Sequence, residues 1–259
     1  MRYSSSARLT LSVLVLTVVQ FIKADSIEFQ SGASQTALLE LYTSEGCSSC
    51  PPAETWLSRL KESPKLWKDF VPVAFHVDYW DYLGWKDPFA AKVYTERQHE
   101  YASLWRSRSV YTPGFVLNGK EWRDWPTATG LSARPQYAVG VLTAHSDDRQ
   151  RWLFRFRPGE KNAGSNYNFC AALLGFDLVS DVKSGENRGR RLDHDFVVLA
   201  FAKCTSRQEG DYFKGDVSLS TQPGFKGKRL AVAAWIGSSK GVVPIQAVGG
   251  WLPSPNQTK

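Results

Sequence analysis

Apolar positions follow one rhythm in the first half of this chain and another in the second. Ala37, Leu38, Leu39, Leu41 and Tyr42 form an apolar run of strand length, and Thr43, Ser44 and Gly46 supply a turn after it. Pro51 suits a first helical turn, where its missing N–H has no intrahelical partner anyway. Ala53, Leu57 and Leu60 then recur at helical spacing and lay one apolar stripe against a core. Phe70–Val77 is a second buried strand, ending in the acidic, aromatic stretch Asp78–Trp85, which includes Tyr79, Trp80 and Tyr82. Asp87-Pro88 reads as a helix start. The helix is expected to reach about Trp105, with Phe89, Val93, Tyr101 and Leu104 inward and Glu96, Arg97 and Glu100 in water. A turn then feeds the strand Phe115–Leu117, and Asn118-Gly119 signals a hairpin. Strand, helix, strand, helix, strand is the order of a compact α/β layer.

Around Arg123–Pro135 the composition turns to Pro, Thr, Ser and Ala, and the helical period stops. Short β-type runs follow at Tyr137–His145, Trp152–Arg157, Asn166–Phe176, Phe196–Cys204, Asp211–Leu219, Arg229–Ile236 and Val242–Val248. Seven such runs separated by Gly, Pro, Asn and Asp predict a β-sandwich. The expected organisation is an α/β N-terminal domain over 34–130 and an all-β, sandwich-like C-terminal domain over 136–252.

The extreme N-terminus changes the picture of where the protein works. Arg2 and Arg8 precede an apolar run, Leu9–Val19, of signal-peptide length, and Ala24 is a plausible cleavage position. Residues 1–24 are expected to be an export signal, the alternative being an uncleaved anchor, so the protein is read as periplasmic or extracellular. Without Arg2, Arg8 and Lys23 the net charge falls from +7 to +4, with 29 basic against 25 acidic residues. The basic residues are scattered apart from Arg188, Arg190 and Arg191. That pattern supports solubility and argues against nucleic acid as a partner. No later stretch is apolar enough to predict stable membrane insertion once the signal is removed.

The four cysteines, Cys47, Cys50, Cys170 and Cys204, are the candidate chemistry. An even count in an exported chain suits disulfides. Cys47 and Cys50 sit where a strand hands over to a helix, a place that favours a thiolate and lowers its pKa from roughly 8.5. A redox pair, a structural staple and a metal site all remain open for them. Cys170 and Cys204 fall on neighbouring β runs. If these pair antiparallel across Ser180–His194, a register that faces Ser180 with His194 also faces Cys170 with Cys204, near disulfide reach. A structural Cys170–Cys204 bond is therefore expected.

The segments ELYTSEGCSSCPP, FHVDYWDYLGWKDPF, TERQ, VYTPGFVLNG and GENRGRRLDH, in this order, resemble the exported DUF1223 proteins over about residues 36–250. The resemblance implies a thioredoxin-like fold for the N-terminal domain, with Cys47 as the attacking and Cys50 as the resolving thiol. It implies a cis bond at Thr112-Pro113 opposite them, and it draws attention to His76 and Asp78 as supporting groups. One departure is Gly114, where the family commonly has Gln. Arg97, Gln98 and His99 read as a solvated helix face, and Glu186–Arg190 as a loop that bridges the two domains. The expected function is exported thiol–disulfide oxidoreductase-like chemistry, with protein or small-molecule thiols and disulfides as partners and no cofactor. The alternatives are a non-catalytic binding module with a structural disulfide, or a copper or zinc site built from Cys47, Cys50 and His76.

Overall fold

The computed structural model describes residues 26–128, 131, 138–160, 166–220 and 229–253. The export signal expected at 1–24 and the domain limits expected at 130 and 136 lie outside them. The strands are β1 (Ile27–Gln30), β2 (Ala37–Thr43), β3 (Phe70–His76), β4 (Gly114–Leu117), β5 (Lys120–Glu121), β6 (Gly140–Ser146), β7 (Arg151–Pro158) and β8 (Tyr167–Phe176). They continue as β9 (Leu178–Asp181), β10 (Arg191–His194), β11 (Val197–Thr205), β12 (Arg207–Glu209), β13 (Tyr212–Ser218), β14 (Arg229–Ser238) and β15 (Pro244–Trp251). Among the described residues only α1 (Pro51–Ser58) and α2 (Lys92–Leu104) are α-helices, and none is long and apolar enough to cross a membrane.

This is not an α/β thioredoxin-like domain followed by a β-sandwich. The fold is mostly β, and one eight-stranded mixed sheet, ordered β15-β14-β8-β11-β3-β2-β4-β5, draws strands from both halves of the chain. β3 is parallel to β2 on one side and to β11 on the other. A five-stranded antiparallel sheet, β1-β6-β7-β13-β12, covers one face of the large sheet. The physical reason lies at the edge of β3. A three-stranded unit of β2, β3 and β4 leaves that edge unpaired, and a row of free N–H and C=O groups there would be costly to bury. β11 meets it at Val197 beside Ala74, where the Ala74 N–H donates to Phe196 O at 2.8 Å, and the carbonyls of Phe70 and His76 accept from the Trp67 and Ala91 N–H groups.

The apolar pattern of the central strands fits this position. β8 (YNFCAALLGF) is buried at all ten residues. Phe169, Ala171 and Leu173 meet the five-stranded sheet, while Cys170, Ala172 and Leu174 face the core shared with α1 and α2. β7 (RWLFRFRP), in the covering sheet, alternates buried and exposed residues. A continuous apolar run marks a strand covered on both faces, and alternation marks one covered on a single face.

The helices depart from expectation in detail. α2 starts at Lys92 with Ala91 as its cap, not at Pro88. Asp87 instead closes a local turn, accepting from the Phe89 N–H at 2.9 Å. Phe89 and Tyr101 are buried as expected, but Val93 and Leu104 are exposed. Arg97 was expected in water; it is buried, and its Nε and Nη2 donate to the Glu40 carboxylate at 2.7 and 3.0 Å. Tyr101 and Tyr42 donate to the same carboxylate at 2.5 and 3.0 Å, and the guanidinium lies 5.2 Å from the Trp235 ring centre. This polar knot ties β2, α2 and β14 together. The Asn118-Gly119 hairpin stands: both residues have positive φ, and β4 and β5 pair antiparallel around it.

Candidate functional site

The dithiol turn is built by short backbone bonds between the end of β2 and the start of α1. The Cys47 N–H donates to Ser44 O at 3.1 Å, and the Cys50 N–H donates to Cys47 O at 3.2 Å. Cys50 is the cap residue of α1, and its carbonyl accepts from the Ala53 and Glu54 N–H groups. Gly46 permits a close approach, since a Cβ there would lie 2.8 Å from Cβ of Trp80. Pro51 and Pro52 have no N–H, so this helix end offers an anion fewer amides than most.

The two thiols are nevertheless strongly differentiated. The Cys47 pKa is lowered to about 6, chiefly by a hydrogen bond from Cys50 and against the cost of burial, with further help from Ser49 and Thr112. The Ser49 hydroxyl is 3.3 Å from Cys47 Sγ. Burial, and then the neighbouring Cys47, push Cys50 well above the ordinary thiol range. Both are free thiols, and both are enclosed, Cys47 being 1% and Cys50 0% exposed.

Thr112 and Pro113 stand against this pair. The bond between them is cis, and Cys47 Sγ lies 3.7 Å from Thr112 O. Trp80 Nε1 donates to the Thr112 hydroxyl at 2.8 Å, which fixes that side chain. Gln98, expected on a solvated face, is buried. It accepts from the Tyr79 hydroxyl at 3.2 Å and donates to Tyr111 O at 2.7 Å. Its Nε2 lies 3.4 Å from where a Gly114 Cβ would stand, so a larger residue at 114 would crowd it. His99 is exposed.

The supporting roles expected of His76 and Asp78 fall elsewhere. Asp78 Oδ1 accepts from the Thr95 hydroxyl at 2.6 Å and ties the loop to α2. His76 is buried at the end of β3, its Nδ1 2.7 Å from Asp87 Oδ2. The carboxylate connected to the dithiol is Glu54. The Thr43 hydroxyl donates to Glu54 Oε1 at 2.6 Å and also reaches Cys50. Glu54 Oε2 makes a very short contact with His194 Nδ1, and His194 Nε2 is 3.1 Å from Glu45 Oε1. Burial works against charge at His194, but Glu54 and Glu45 outweigh it and raise its pKa to about 10. Burial likewise opposes charge at Glu54, which His194 holds below the ordinary carboxylate range. Glu54, His76 and His194 each place a ligand-capable atom within 4.8 Å of the others. His76 thus belongs with Glu54 and His194.

The Glu186–Arg190 loop has a definite task. Asn187, fully buried, donates from Nδ2 to Glu45 O at 2.8 Å and to Cys47 O at 2.9 Å. Glu186 Oε2 accepts from the Ser48 N–H at 2.9 Å, and Arg190 holds the Asn187 amide. The loop between β9 and β10 therefore clamps the dithiol turn from 140 residues away. Glu186, Asn187 and His194 all lie within GENRGRRLDH, whose polar residues between short β runs were the available signal.

The Cys170–Cys204 bond is not formed. β8 and β11 are antiparallel neighbours, but the hairpin between them faces Ser180 with Leu192 rather than His194, and a bulge between Val198 and Ala200 moves the register by only one residue. Cys170 then faces Lys203, and Cys204 faces Phe169. A one-residue shift turns a side chain to the other face. Cys170 lies in the helix-side core and Cys204 against the core under the five-stranded sheet, both as free thiols.

Two solved structures share this fold. A protein of Agrobacterium tumefaciens, AGR_C_4864, is 23% identical, with a TM-score of 0.58 over 88% of this chain and 98% of that one. HBP35 of Porphyromonas gingivalis is 13% identical, with a TM-score of 0.56 over 88% of this chain and 79% of that one. No curated protein matches the sequence. Residues 38–237 match the family described as protein of unknown function, DUF1223. That span takes in the dithiol turn, the cis-proline turn and the clamping loop, and the chain belongs to the DUF1223 family.

Proposed function

We propose that this protein is an exported thiol–disulfide oxidoreductase-like protein that uses Cys47 and Cys50. The split between an acidic Cys47 and a strongly basic Cys50 carries this reading. At neutral pH the first is largely thiolate and the second holds its proton, the pairing that exchange requires. The Cys47 thiolate attacks one sulfur of a partner disulfide, and the partner's other sulfur leaves as a thiolate. Cys50 then loses its proton and attacks Cys47 Sγ. The partner's second thiol is released and a Cys47–Cys50 disulfide forms, so two electrons pass from this protein to the partner. The reverse sequence oxidises a dithiol. Partners are protein or small-molecule thiols and disulfides.

The enclosure of Cys47 favours a second reading, a binding module whose dithiol only shapes the turn. One experiment separates the two. The reduced protein is mixed with a small aromatic disulfide or glutathione disulfide, and the products are read by mass spectrometry. Exchange predicts that Cys50→Ser traps a mixed disulfide on Cys47 and that Cys47→Ser abolishes the reaction. A binding module predicts no adduct on folded Cys50→Ser protein.

A further inference from the structure

A second constellation lies beneath the dithiol and has its own chemistry. Glu54, His76 and His194 converge from α1, β3 and β10, each more than nine-tenths buried. Four buried side-chain atoms among the described residues have no hydrogen-bond partner. Three of them are here: His76 Nε2, His194 Nε2 and Glu45 Oε1. The last two face each other as an ion pair at 3.1 Å. That leaves His76 Nε2 with no partner at all, and an orphaned buried polar atom costs roughly 1–3 kcal/mol, so it calls for something that satisfies it.

We propose that Glu54, His76 and His194 bind one divalent first-row transition cation. Their ligand atoms lie within 4.8 Å of one another, and bonds of about 2.0–2.2 Å to a shared ion require the ion to replace the short Glu54–His194 contact, the two atoms moving apart around it. His76 binds through Nε2, because Asp87 already holds Nδ1. His194 binds through Nδ1, beside Glu54, and its Nε2 turns to Glu45. Each histidine therefore has a carboxylate behind it, the arrangement that orients imidazole ligands in metal sites. Thr43 does the same for Glu54, and Trp85 Nε1 donates to Glu45 at 2.6 Å. The carboxylates of Glu45, Glu54 and Asp87 let a dication enter without burying net positive charge. Two imidazoles and a carboxylate suit Zn²⁺, Co²⁺ or Fe²⁺ better than Mg²⁺ or Ca²⁺. Sulfur takes no part, which separates this site from one built on the dithiol.

The test uses the full chain, stripped with chelator and titrated with Zn²⁺ and then with Co²⁺. The expected result is one equivalent bound, retained in a Cys47→Ser/Cys50→Ser double variant and lost in His76→Ala and in His194→Ala. With Co²⁺ the wild-type protein gives visible ligand-field bands without the intense near-ultraviolet band of sulfur-to-cobalt charge transfer. This readout needs no variant, so it decides even if a histidine substitution unfolds the protein. Failure of the wild-type protein to take up either ion overturns the site. So does a charge-transfer band that vanishes in the double cysteine variant, which places the ion on the dithiol, or uptake that survives both histidine substitutions.

Discussion

At the scale of single residues, the dithiol is governed by side chains that sequence spacing could not place. Helix-end physics anticipated a low pKa at Cys47, and the shift is there, but Cys50, Ser49 and Thr112 supply it. The consequence for stability has a definite sign. A folded pKa near 6 lies below the unfolded value of roughly 8.5, so this contribution to the reduced protein is present above about 8.5 and lost as pH falls towards 6. Chemical denaturation of reduced wild-type and Cys47→Ser protein is expected to show the difference between them growing with pH across that window, because His194, whose raised pKa contributes the opposite slope, acts in both. Asn187 gives a second test at this scale. Asn187→Ala removes the side-chain donor shared by the Glu45 and Cys47 carbonyls, the latter keeping only the Cys50 N–H, at an expected cost of about 1–3 kcal/mol. A denaturation midpoint unchanged from wild type would show that the clamp contributes nothing.

Elements show where local pattern stops being informative. The seven expected β runs of the C-terminal half all occur as strands, because period and turn residues are local signals. Their partners are not local. The hairpin register that faces Ser180 with Leu192, and the Val198–Ala200 bulge, cannot be read from composition, and together they separate Cys170 from Cys204. Peptide mapping of protein oxidised under native conditions should therefore never yield a Cys170–Cys204 peptide. Helix α2 makes a related point. Arg97 and Gln98 read as solvated because charge and amide groups usually are, whereas Glu40, hidden inside the apolar run of β2, is the partner that buries Arg97. Removing one member of a buried pair costs about 3–5 kcal/mol. Arg97→Leu is thus expected to lower stability by that amount in urea unfolding, and Arg97→Leu with Glu40→Leu should recover much of it.

For the whole molecule, the first-half order of strand, helix and strand suggested a self-contained α/β unit, and the seven later runs a separate sandwich. The near-continuous apolar runs of β8 and β14 were the available evidence against that division, since a sandwich strand faces solvent on one side. The joined sheet has a structural consequence at the site: it carries β9, β10 and their loop back to the N-terminal turn, so residues from a distant part of the chain hold the backbone around the dithiol. Cys47 and Cys50 were legible as a local CxxC motif, and Thr112 and Pro113 through the family resemblance. Glu54, His194 and Asn187 act only through the tertiary fold. The most direct test of this account is the pH dependence of Cys47 alkylation in the folded, reduced protein, followed by mass spectrometry of the Cys47 peptide. A midpoint near 6, with Cys50 unreactive through neutral pH, is the result predicted. A midpoint at the ordinary thiol value, or a Cys47 that stays unreactive at every pH at which the protein is folded, would contradict it.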